Sequence, residues 1–192
     1  MDDDAVTSTA LAAGAGTPGA VEEFVRATHR DLWRFLAYLG DPQSADDLTQ
    51  ETYLRALKAL PGFAGQSSAR TWLLSIGRRV VVDRYRAAAA RPRTVDAEDW
   101  ADLLERRRPA NLPGFEEGIA LTDLVAALDP ARREAFVLTQ ILDLEYAETA
   151  RILDCPIGTV RSRVARARTD LIAQLTRAEA QTEAPARAHA KA

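Results

Sequence analysis

Arginine is concentrated in two segments of this 192-residue chain, residues 70–93 and residues 158–177. The first holds seven arginines against one acidic residue and the second holds five against one, so their local net charges are +6 and +4. The whole chain has 25 Lys and Arg against 28 Asp and Glu, a net charge of −3, and its remainder is therefore acidic. Guanidinium groups form paired hydrogen bonds with phosphates and base edges. The distribution indicates two polyanion-binding surfaces, with solvated helix faces as the alternative interpretation.

Residues suited to catalysis or metal binding are few and scattered. The two histidines, His29 and His189, stand far apart, and no set of His, Cys and acidic residues has metal-ligand spacing. Asp47 and Glu51 would share one face of a helix, but these two carboxylates lack the further partners that a metal site or an acid–base site needs. The sequence has no glycine-rich phosphate loop and no nucleophile arrangement. We therefore predict that the protein is not an enzyme and needs no cofactor and no metal.

The composition favours a cytoplasmic protein. Cys155 is the single cysteine and forms no internal disulfide, so nothing in the sequence requires an oxidising compartment. No apolar run approaches the roughly 20 residues that cross a bilayer. The aspartates that follow Met1 are unlike the basic start of a signal peptide. We predict cytoplasmic localisation with no membrane insertion.

The hydrophobic periodicity is helical, and proline, glycine and charged runs divide it into two parts. Helices are predicted to begin near Val21, Ser44 and Ala69, and Asp129 followed by Pro130 marks a further helix start. No alternating strand pattern is present, so the fold class is all-α, with two small helical domains joined by a flexible linker. The predicted segments are a disordered N-terminal arm (1–20), the first domain (21–88), the linker (89–117), the second domain (118–178) and a disordered tail (179–192).

Residues 146–168 have the layout of a helix-turn-helix. A short helix over 146–153 is followed by a tight break and by a second helix that begins at Thr159. On a helical wheel, one compact stripe of the second helix is apolar and consists of Val160, Val164, Ala167 and Leu171. The opposite face carries Ser162, Ala165 and Arg166, with Arg161 on its shoulder. Small residues beside arginines suit entry into the major groove of DNA, and a charged surface helix without a ligand is the alternative.

Three sequence blocks carry a resemblance to a known family. They are DDLTQETYLRA at residues 46–56, TWLLSIGRRVVVDRYR at residues 71–86 and CPIGTVRSRVARAR at residues 155–168. In this order and spacing they resemble the bacterial sigma-70 family of RNA polymerase sigma factors. Within it they are similar to the extracytoplasmic-function (ECF) class, and most like the actinobacterial sigma-C branch.

The resemblance implies sigma region 2 in the first domain and sigma region 4 in the second. Such a protein binds core RNA polymerase, recognises the −10 and −35 promoter elements and directs the initiation of DNA-templated transcription. The implied partners are core RNA polymerase, through its β′ clamp helices and β flap, promoter DNA, and an anti-sigma factor as a further candidate. The alternative is a stand-alone helix-turn-helix transcriptional regulator acting without core polymerase, which leaves residues 44–86 unexplained.

The matching positions imply three sets of site residues. The core polymerase-binding set is Asp47, Leu48, Gln50, Glu51, Leu54 and Arg55. The −10-binding set is Phe63, Gly65, Gln66, Ser67, Ser68, Arg70, Arg78, Arg79 and Arg84. The −35-binding set is Thr159, Arg161, Ser162, Arg163 and Arg166. Residues 63–68 are expected to receive an unstacked base of the non-template strand, the arginines of that set to neutralise phosphates, and Trp72 to pack in the core.

Overall fold

The computed structural model describes residues 3–40, 42–90 and 116–189. Within these ranges the chain is helical and contains no strand, which confirms the predicted all-α fold. The helices are α1 (Asp3–Gly14), α2 (Ala20–Leu39), α3 (Ala45–Ala59), α4 (Ala69–Ala90), α5 (Glu116–Ala126), α6 (Pro130–Phe136), α7 (Tyr146–Leu153) and α8 (Ile157–His189). Short 3-10 turns occupy Pro42–Ser44 and Leu60–Gly62, and a π-helical turn, Val137–Ile141, follows α6.

The segment 1–20 was predicted to be a disordered arm, and this prediction was wrong because the segment contains α1. Val6, Ala10 and Ala13 are buried, and the helix packs against α2 and α4. Their spacing of three and four residues places them on one helix face. Alanine has the highest helix propensity, and its small side chain lets helices approach closely. A narrow face of small residues is a weak hydrophobic signal, although it is sufficient for packing.

Helices α1 to α4 form a first bundle, and α2, α3 and α4 begin within one residue of the predicted starts. The largest buried side chains of this bundle are Phe24, Leu32, Phe35 and Leu36 of α2 and Leu73 and Leu74 of α4. A buried hydrogen bond of 2.8 Å joins Thr28 Oγ1 to Tyr53 Oη and thereby ties α2 to α3. Burial raises the pKa of Tyr53 to about 12, because the phenolate loses hydration there.

Helices α5 to α8 form a second bundle. Asp129 caps α6 as predicted, since its carboxylate accepts hydrogen bonds from the amides of Ala131 (3.1 Å) and Arg132 (3.3 Å). Pro130 occupies the first turn, where its missing N–H costs no intrahelical hydrogen bond. The π-helical turn that follows contributes buried Val137 and Leu138 to the core.

The last helix is longer than predicted. The α8 backbone continues to His189, whereas the sequence predicted a disordered tail from residue 179. Alanine and glutamate are the commonest residues of this stretch and have high helix propensity, which favours the extension, whereas Pro185 within it does not. Residues 91–115, which include most of the predicted linker, and residues 190–192 lie outside the described part of the chain.

The two bundles pack against each other through α4 and α7. A single hydrophobic cluster contains residues of both bundles, among them Leu74 of α4 and Ile152 of α7. The sequence did not predict this packing. It places the arginine-rich α4 beside acidic side chains of the second bundle, and this determines which arginines remain free.

Candidate nucleic-acid and polymerase interfaces

The helix-turn-helix has the predicted layout. Helix α7 ends where Asp154 adopts a left-handed conformation (φ 50°, ψ 54°), and α8 begins three residues later. Val160 and Val164 are buried on the inner face of α8, and so are Ala167 and Leu171. The predicted apolar stripe is therefore confirmed. It fixes the rotation of α8 and so determines which side chains point outward.

The outward face of α8 carries Arg161, Ser162, Ala165 and Arg166, all exposed. Neither Arg161 nor Arg166 forms an ion pair with a residue that the structure describes. Ser162 Oγ donates a hydrogen bond to the carbonyl oxygen of Thr159 at 2.9 Å. The small side chains of Ser162 and Ala165 leave room on the surface between the two free guanidinium groups.

The remaining two members of the −35 set are less accessible. Thr159 is half-buried in the first turn of α8. Arg163 is also half-buried, and its Nη1 lies 3.7 Å from Cys155 Sγ in the turn that precedes α8. The free thiol of Cys155 thus packs inside the helix-turn-helix. Arg163 therefore supports the turn as well as bordering the exposed face.

Residues 63–68 form an exposed loop between the 3-10 turn Leu60–Gly62 and α4, hereafter the −10 loop. The ring of Phe63 packs on that of Trp72, with centroids 4.9 Å apart and planes tilted by 38°. Trp72 is partly buried and packs against the core, as expected. Gly65 has φ +67°, a conformation that side-chain-bearing residues rarely adopt, so glycine is required at this bend. Gln66 is exposed beside it.

The end of the −10 loop is bound to the second bundle. Ser68 Oγ accepts a hydrogen bond from the Thr71 amide at 3.1 Å and so caps α4. Glu148 of α7 accepts hydrogen bonds at Oε1 from Ser68 Oγ (3.0 Å) and from Thr71 Oγ1 (2.9 Å). Ser67 Oγ donates to the Ser68 carbonyl oxygen at 3.3 Å. A carboxylate of the second bundle is therefore hydrogen-bonded to the hydroxyl groups at this end of the loop.

The four arginines of the −10 set fall into two pairs. Arg70 forms an ion pair of 2.7 Å with Asp31, both side chains being only 15–16% exposed, and its Nη2 donates to the Leu142 carbonyl oxygen at 2.6 Å. Arg78 Nε lies 3.0 Å from Glu134 Oε2 of α6. Arg79 and Arg84 are exposed. In this arrangement only the latter pair is available to an external anion.

Three acidic residues bind the −10 set and the start of α4: Asp31 pairs with Arg70, Glu134 pairs with Arg78, and Glu148 binds the hydroxyl groups of Ser68 and Thr71. Sequence reasoning missed all three. Glu148 lies 80 residues from Ser68, and Glu134 lies 56 residues from Arg78. No local pattern connects residues at such separations. The available signal was the excess of acidic residues outside the basic segments, which indicates that partners exist but does not identify them.

The predicted core polymerase-binding set lies on α3. Asp47, Gln50, Leu54 and Arg55 are exposed, with Leu54 at 51%, and Glu51 is half-exposed. Leu48 is only 3% exposed, so its place in this surface set was wrong. Its Cδ1 would lie 3.0 Å from a Cβ atom at Gly40, so Leu48 fills the space that this glycine leaves open.

Arg55 ties the exposed face of α3 to α4. Its Nη1 lies 2.7 Å from Asp83 Oδ2, and its Nε lies 2.8 Å from Glu51 Oε1. These hydrogen bonds, with that to Asp83 the stronger influence, raise the pKa of Arg55 above its usual value. The bridge gives this surface a fixed alternation of charge beside the apolar Leu54.

The described residues hold neither a metal-binding cluster nor a membrane-spanning helix. No group of three or more His, Cys, Asp or Glu side chains there is arranged to hold a metal ion. Among the helices of that part of the chain, none combines the length and the apolar character that a membrane span requires.

Comparison with known proteins gives matches in both bundles. A family model described as Sigma-70 region 2 matches residues 24–91, and another described as Sigma-70, region 4 matches residues 119–171. The ECF RNA polymerase sigma factor SigC of Mycobacterium tuberculosis is 52% identical over 172 residues, which cover 90% of this chain and 92% of the relative.

Solved structures agree with these matches. CnrH in complex with the cytosolic domain of CnrY is similar at a TM-score of 0.67 and 28% identity, covering 88% of this chain and 96% of that chain. RpoE in complex with the anti-sigma factor NepR, from Bartonella quintana, has the same fold at a TM-score of 0.64 and 23% identity, covering 81% of this chain and 96% of that chain. The chain belongs to the sigma-70 family of bacterial RNA polymerase sigma factors, in its ECF class.

Proposed function

We propose that this chain binds core RNA polymerase through α3 and reads promoter DNA with both bundles, the −10 element with the first and the −35 element with the second. Sigma factors are non-enzymatic initiation factors, so the chain directs transcription initiation without a reaction of its own. The observation that carries the proposal is that one chain combines two separate arginine-bearing surfaces, on α4 and α8, with an exposed apolar and charged face on α3.

Recognition of the −35 element is assigned to the outward face of α8, with Thr159, Arg161, Ser162, Arg163 and Arg166. Arg161 and Arg166 are exposed and have no ion-pair partner among the described residues, so their guanidinium groups are available to base edges or phosphates. An arginine that pairs with guanine through two hydrogen bonds contributes about 1–3 kcal/mol of discrimination. The helix-turn-helix fold presents such a face to the major groove.

Recognition of the −10 element is assigned to the −10 loop and the exposed face of α4. An unstacked base enters beside Phe63, Gly65 and Gln66 and is held by the polar groups of Ser67 and Ser68. Exposed Arg79 and Arg84 neutralise phosphates of the same strand, and these contacts make the binding dependent on salt.

Full engagement of the −10 strand requires the second bundle to leave α4. Glu134 forms an ion pair with Arg78, and Glu148 accepts hydrogen bonds from the hydroxyl groups of Ser68 and Thr71. A DNA phosphate is likewise an anionic hydrogen-bond acceptor, so it competes with these carboxylates for the same donors. Arg78 then joins the phosphate-binding set. Arg70 keeps its partner Asp31, since both belong to the first bundle.

Polymerase binding is assigned to Asp47, Gln50, Glu51, Leu54 and Arg55, with the β′ clamp helices as their partner and the β flap as the partner of the second bundle. An exposed leucine among fixed charges offers both apolar contact and charge complementarity. CnrH, which shares the fold, was solved bound to the cytosolic domain of CnrY. By analogy we include a regulator of the anti-sigma type among the partners. Because its proposed partners, core polymerase and promoter DNA, are in the cytoplasm, we assign the chain to the cytoplasm as well.

The deciding experiment is run-off transcription from genomic promoter fragments with cognate core RNA polymerase, with and without this chain. We expect specific initiation that requires both components. Absence of initiation, together with tight site-specific binding of duplex DNA by the chain alone, would overturn the proposal in favour of a stand-alone regulator.

A further inference from the structure

Helix α1 contacts both ends and the middle of the segment that contains the −10 loop. We propose that α1 is a positioning element for promoter recognition, in which Thr7 and Leu11 set the conformation of the −10 loop and thereby its selectivity for the unstacked base. This inference rests on the function proposed above. It assigns a specific role to a segment outside the matched region 2, which begins at residue 24.

The first contact is a hydrogen bond across 62 residues of sequence. The amide of Ala69, the first residue of α4, donates to Thr7 Oγ1 at 3.0 Å. The first amides of a helix have no partner within the helix, and Ala69 is fully buried, so this N–H needs an acceptor from elsewhere. Ser68 caps the Thr71 amide instead. Thr7 therefore completes the cap of α4 directly after the −10 loop.

The second contact lies in the middle of the loop. The side chain of Leu11 lies over Gly65, because a Cβ atom at Gly65 would be 3.6 Å from Leu11 Cδ1. Gly65 is the loop residue with positive φ, so Leu11 covers the point where the backbone turns. Leu11 nevertheless remains 43% exposed. Its open side forms an apolar edge beside the residues assigned to the base.

The third contact lies before the loop. A Cβ atom at Gly14 would be 2.6 Å from the carbonyl oxygen of Leu60, so α1 approaches this backbone as closely as glycine permits. The three contacts hold residues 60, 65 and 69 against one rigid helix. A loop held at both ends and at its bend loses few conformations on binding, which favours selective recognition of one base.

Helix α1 also supplies a matched control. Thr9 Oγ1 donates to the Ala5 carbonyl oxygen at 3.0 Å, as Thr7 Oγ1 donates to the Asp3 carbonyl oxygen at 2.7 Å. Thr9 is half-exposed, and among the described residues its hydroxyl forms no hydrogen bond with a loop amide. The two threonines therefore share the same local hydrogen bond, and only Thr7 has the additional one to α4.

The test uses the full chain, free and bound to core RNA polymerase, on a promoter whose −10 and −35 elements have been mapped with the wild-type chain. Thr7→Val removes the acceptor and keeps the shape, Thr7→Ser keeps the hydroxyl, and Thr9→Val is the control. Leu11→Ala removes the contact with Gly65 and affects an exposed side chain, so it carries the test if Thr7→Val fails to fold. The readouts are hydrogen exchange of amides 60–69 in the free chain and initiation from promoters with one base substituted in either element.

We expect Thr7→Val and Leu11→Ala to accelerate exchange over residues 60–69 by about threefold to tenfold, the effect of one hydrogen bond or small apolar contact. Discrimination against −10 substitutions should fall by a similar factor and discrimination against −35 substitutions should not change. Thr7→Ser and Thr9→Val should behave as the wild type.

Faster exchange with unchanged −10 discrimination would overturn the proposal and leave the function intact. Equal losses at both elements, or the same effect from Thr9→Val, would also overturn it, because α1 would then contribute general stability only. Failure of the wild-type chain to initiate with core polymerase would overturn the proposed function first, and the role of α1 with it.

Discussion

Glu148 Oε1 lies 3.0 Å from Ser68 Oγ, although the two residues are 80 positions apart and belong to different bundles. The same oxygen also accepts a hydrogen bond from Thr71 Oγ1 at 2.9 Å. One carboxylate thus satisfies two hydroxyl groups at the edge of the −10 loop. If the −10 strand binds at this edge as proposed, that binding and the observed packing of the two bundles exclude each other.

Replacement of this carboxylate should favour DNA binding by the free chain. Glu148→Gln keeps the size of the side chain and removes its charge, and charge-assisted hydrogen bonds are about twice as strong as neutral ones. We expect affinity for a single-stranded −10 oligonucleotide to rise by about threefold to tenfold, while affinity for core polymerase stays constant. Fluorescence anisotropy measures both affinities.

Glu145→Gln is the matched control for that experiment, since Glu145 is exposed and directly precedes α7. It removes the same charge from the same region without a contact to the −10 loop. Equal increases in the two variants would indicate a general electrostatic effect and would contradict a specific role for Glu148.

The exposed arginines of α8 should determine −35 recognition. We expect Arg161→Ala and Arg166→Ala each to reduce initiation from promoters with an intact −35 element by about 5-fold to 150-fold, the equivalent of about 1–3 kcal/mol. Binding to core polymerase should be unaffected. Quantitative run-off transcription and a polymerase-binding assay together separate the two effects.

Arg177→Ala is the control on the same helix, because Arg177 is exposed beyond the helix-turn-helix. Its effect on initiation should be small. A loss of polymerase binding in Arg161→Ala or Arg166→Ala would contradict the assignment of these two arginines to the −35 element alone.

Substitution of two leucines of α3 should change two different quantities, polymerase affinity for Leu54 and the free energy of unfolding for Leu48. Leu54 is 51% exposed, so Leu54→Ala should change the free energy of unfolding by no more than about 0.5 kcal/mol. It should weaken binding to core polymerase by about tenfold or more. Leu48 is 3% exposed, and Leu48→Ala should cost about 2–5 kcal/mol of stability. Urea unfolding and titration with core polymerase measure the two quantities. Unchanged polymerase affinity in folded Leu54→Ala would remove Leu54 from the interface.

Charge reversal tests the neighbouring ion pairs. Arg55→Glu would place a carboxylate beside Glu51 and Asp83, the two acids that it now bridges. We expect polymerase affinity to fall before −35 discrimination changes, because this surface is remote in sequence from α8. An affinity equal to that of the wild type would show that this charged face is not part of the polymerase contact.

Stability should decrease at alkaline pH through Tyr53. Its folded pKa of about 12 lies above the usual value of 10.0, because burial disfavours the phenolate. The corresponding stabilisation is fully present below pH 10.0 and is lost as the pH rises through about 12. Urea unfolding over this interval should give a falling free energy for the wild type. The slope should be smaller for Tyr53→Phe, which lacks the titrating group.

At neutral pH, Tyr53→Phe should cost about 0.5–1.5 kcal/mol through loss of the hydrogen bond with Thr28. A slope identical to that of the wild type would mean that Tyr53 does not carry the alkaline transition.

Much of the fold could be predicted from the sequence because its signals are local. The end of α7 follows from the break at Asp154, and the start of α6 follows from the Asp129 cap and Pro130. The periodicity of Val160 and Val164 determines which face of α8 is buried, and hence that Arg161 points outward. The rotation of a helix about its axis follows from the spacing of its apolar residues, so this surface could be predicted without tertiary information.

The tertiary structure decided which of these residues are free. Leu48 was assigned to the polymerase-binding surface by the resemblance, but its spacing from buried Ala45 and Thr52 places it on the inner face of α3, where the absence of a side chain at Gly40 gives it space. Helix α1 has a narrow face of small residues, whose burial depends on the close approach of α2 and α4. Arg78 is paired and Arg79 is free because Glu134 of the second bundle reaches only the former. Contacts between residues so distant in the chain arise from the packing of helices. A local sequence period does not specify that packing.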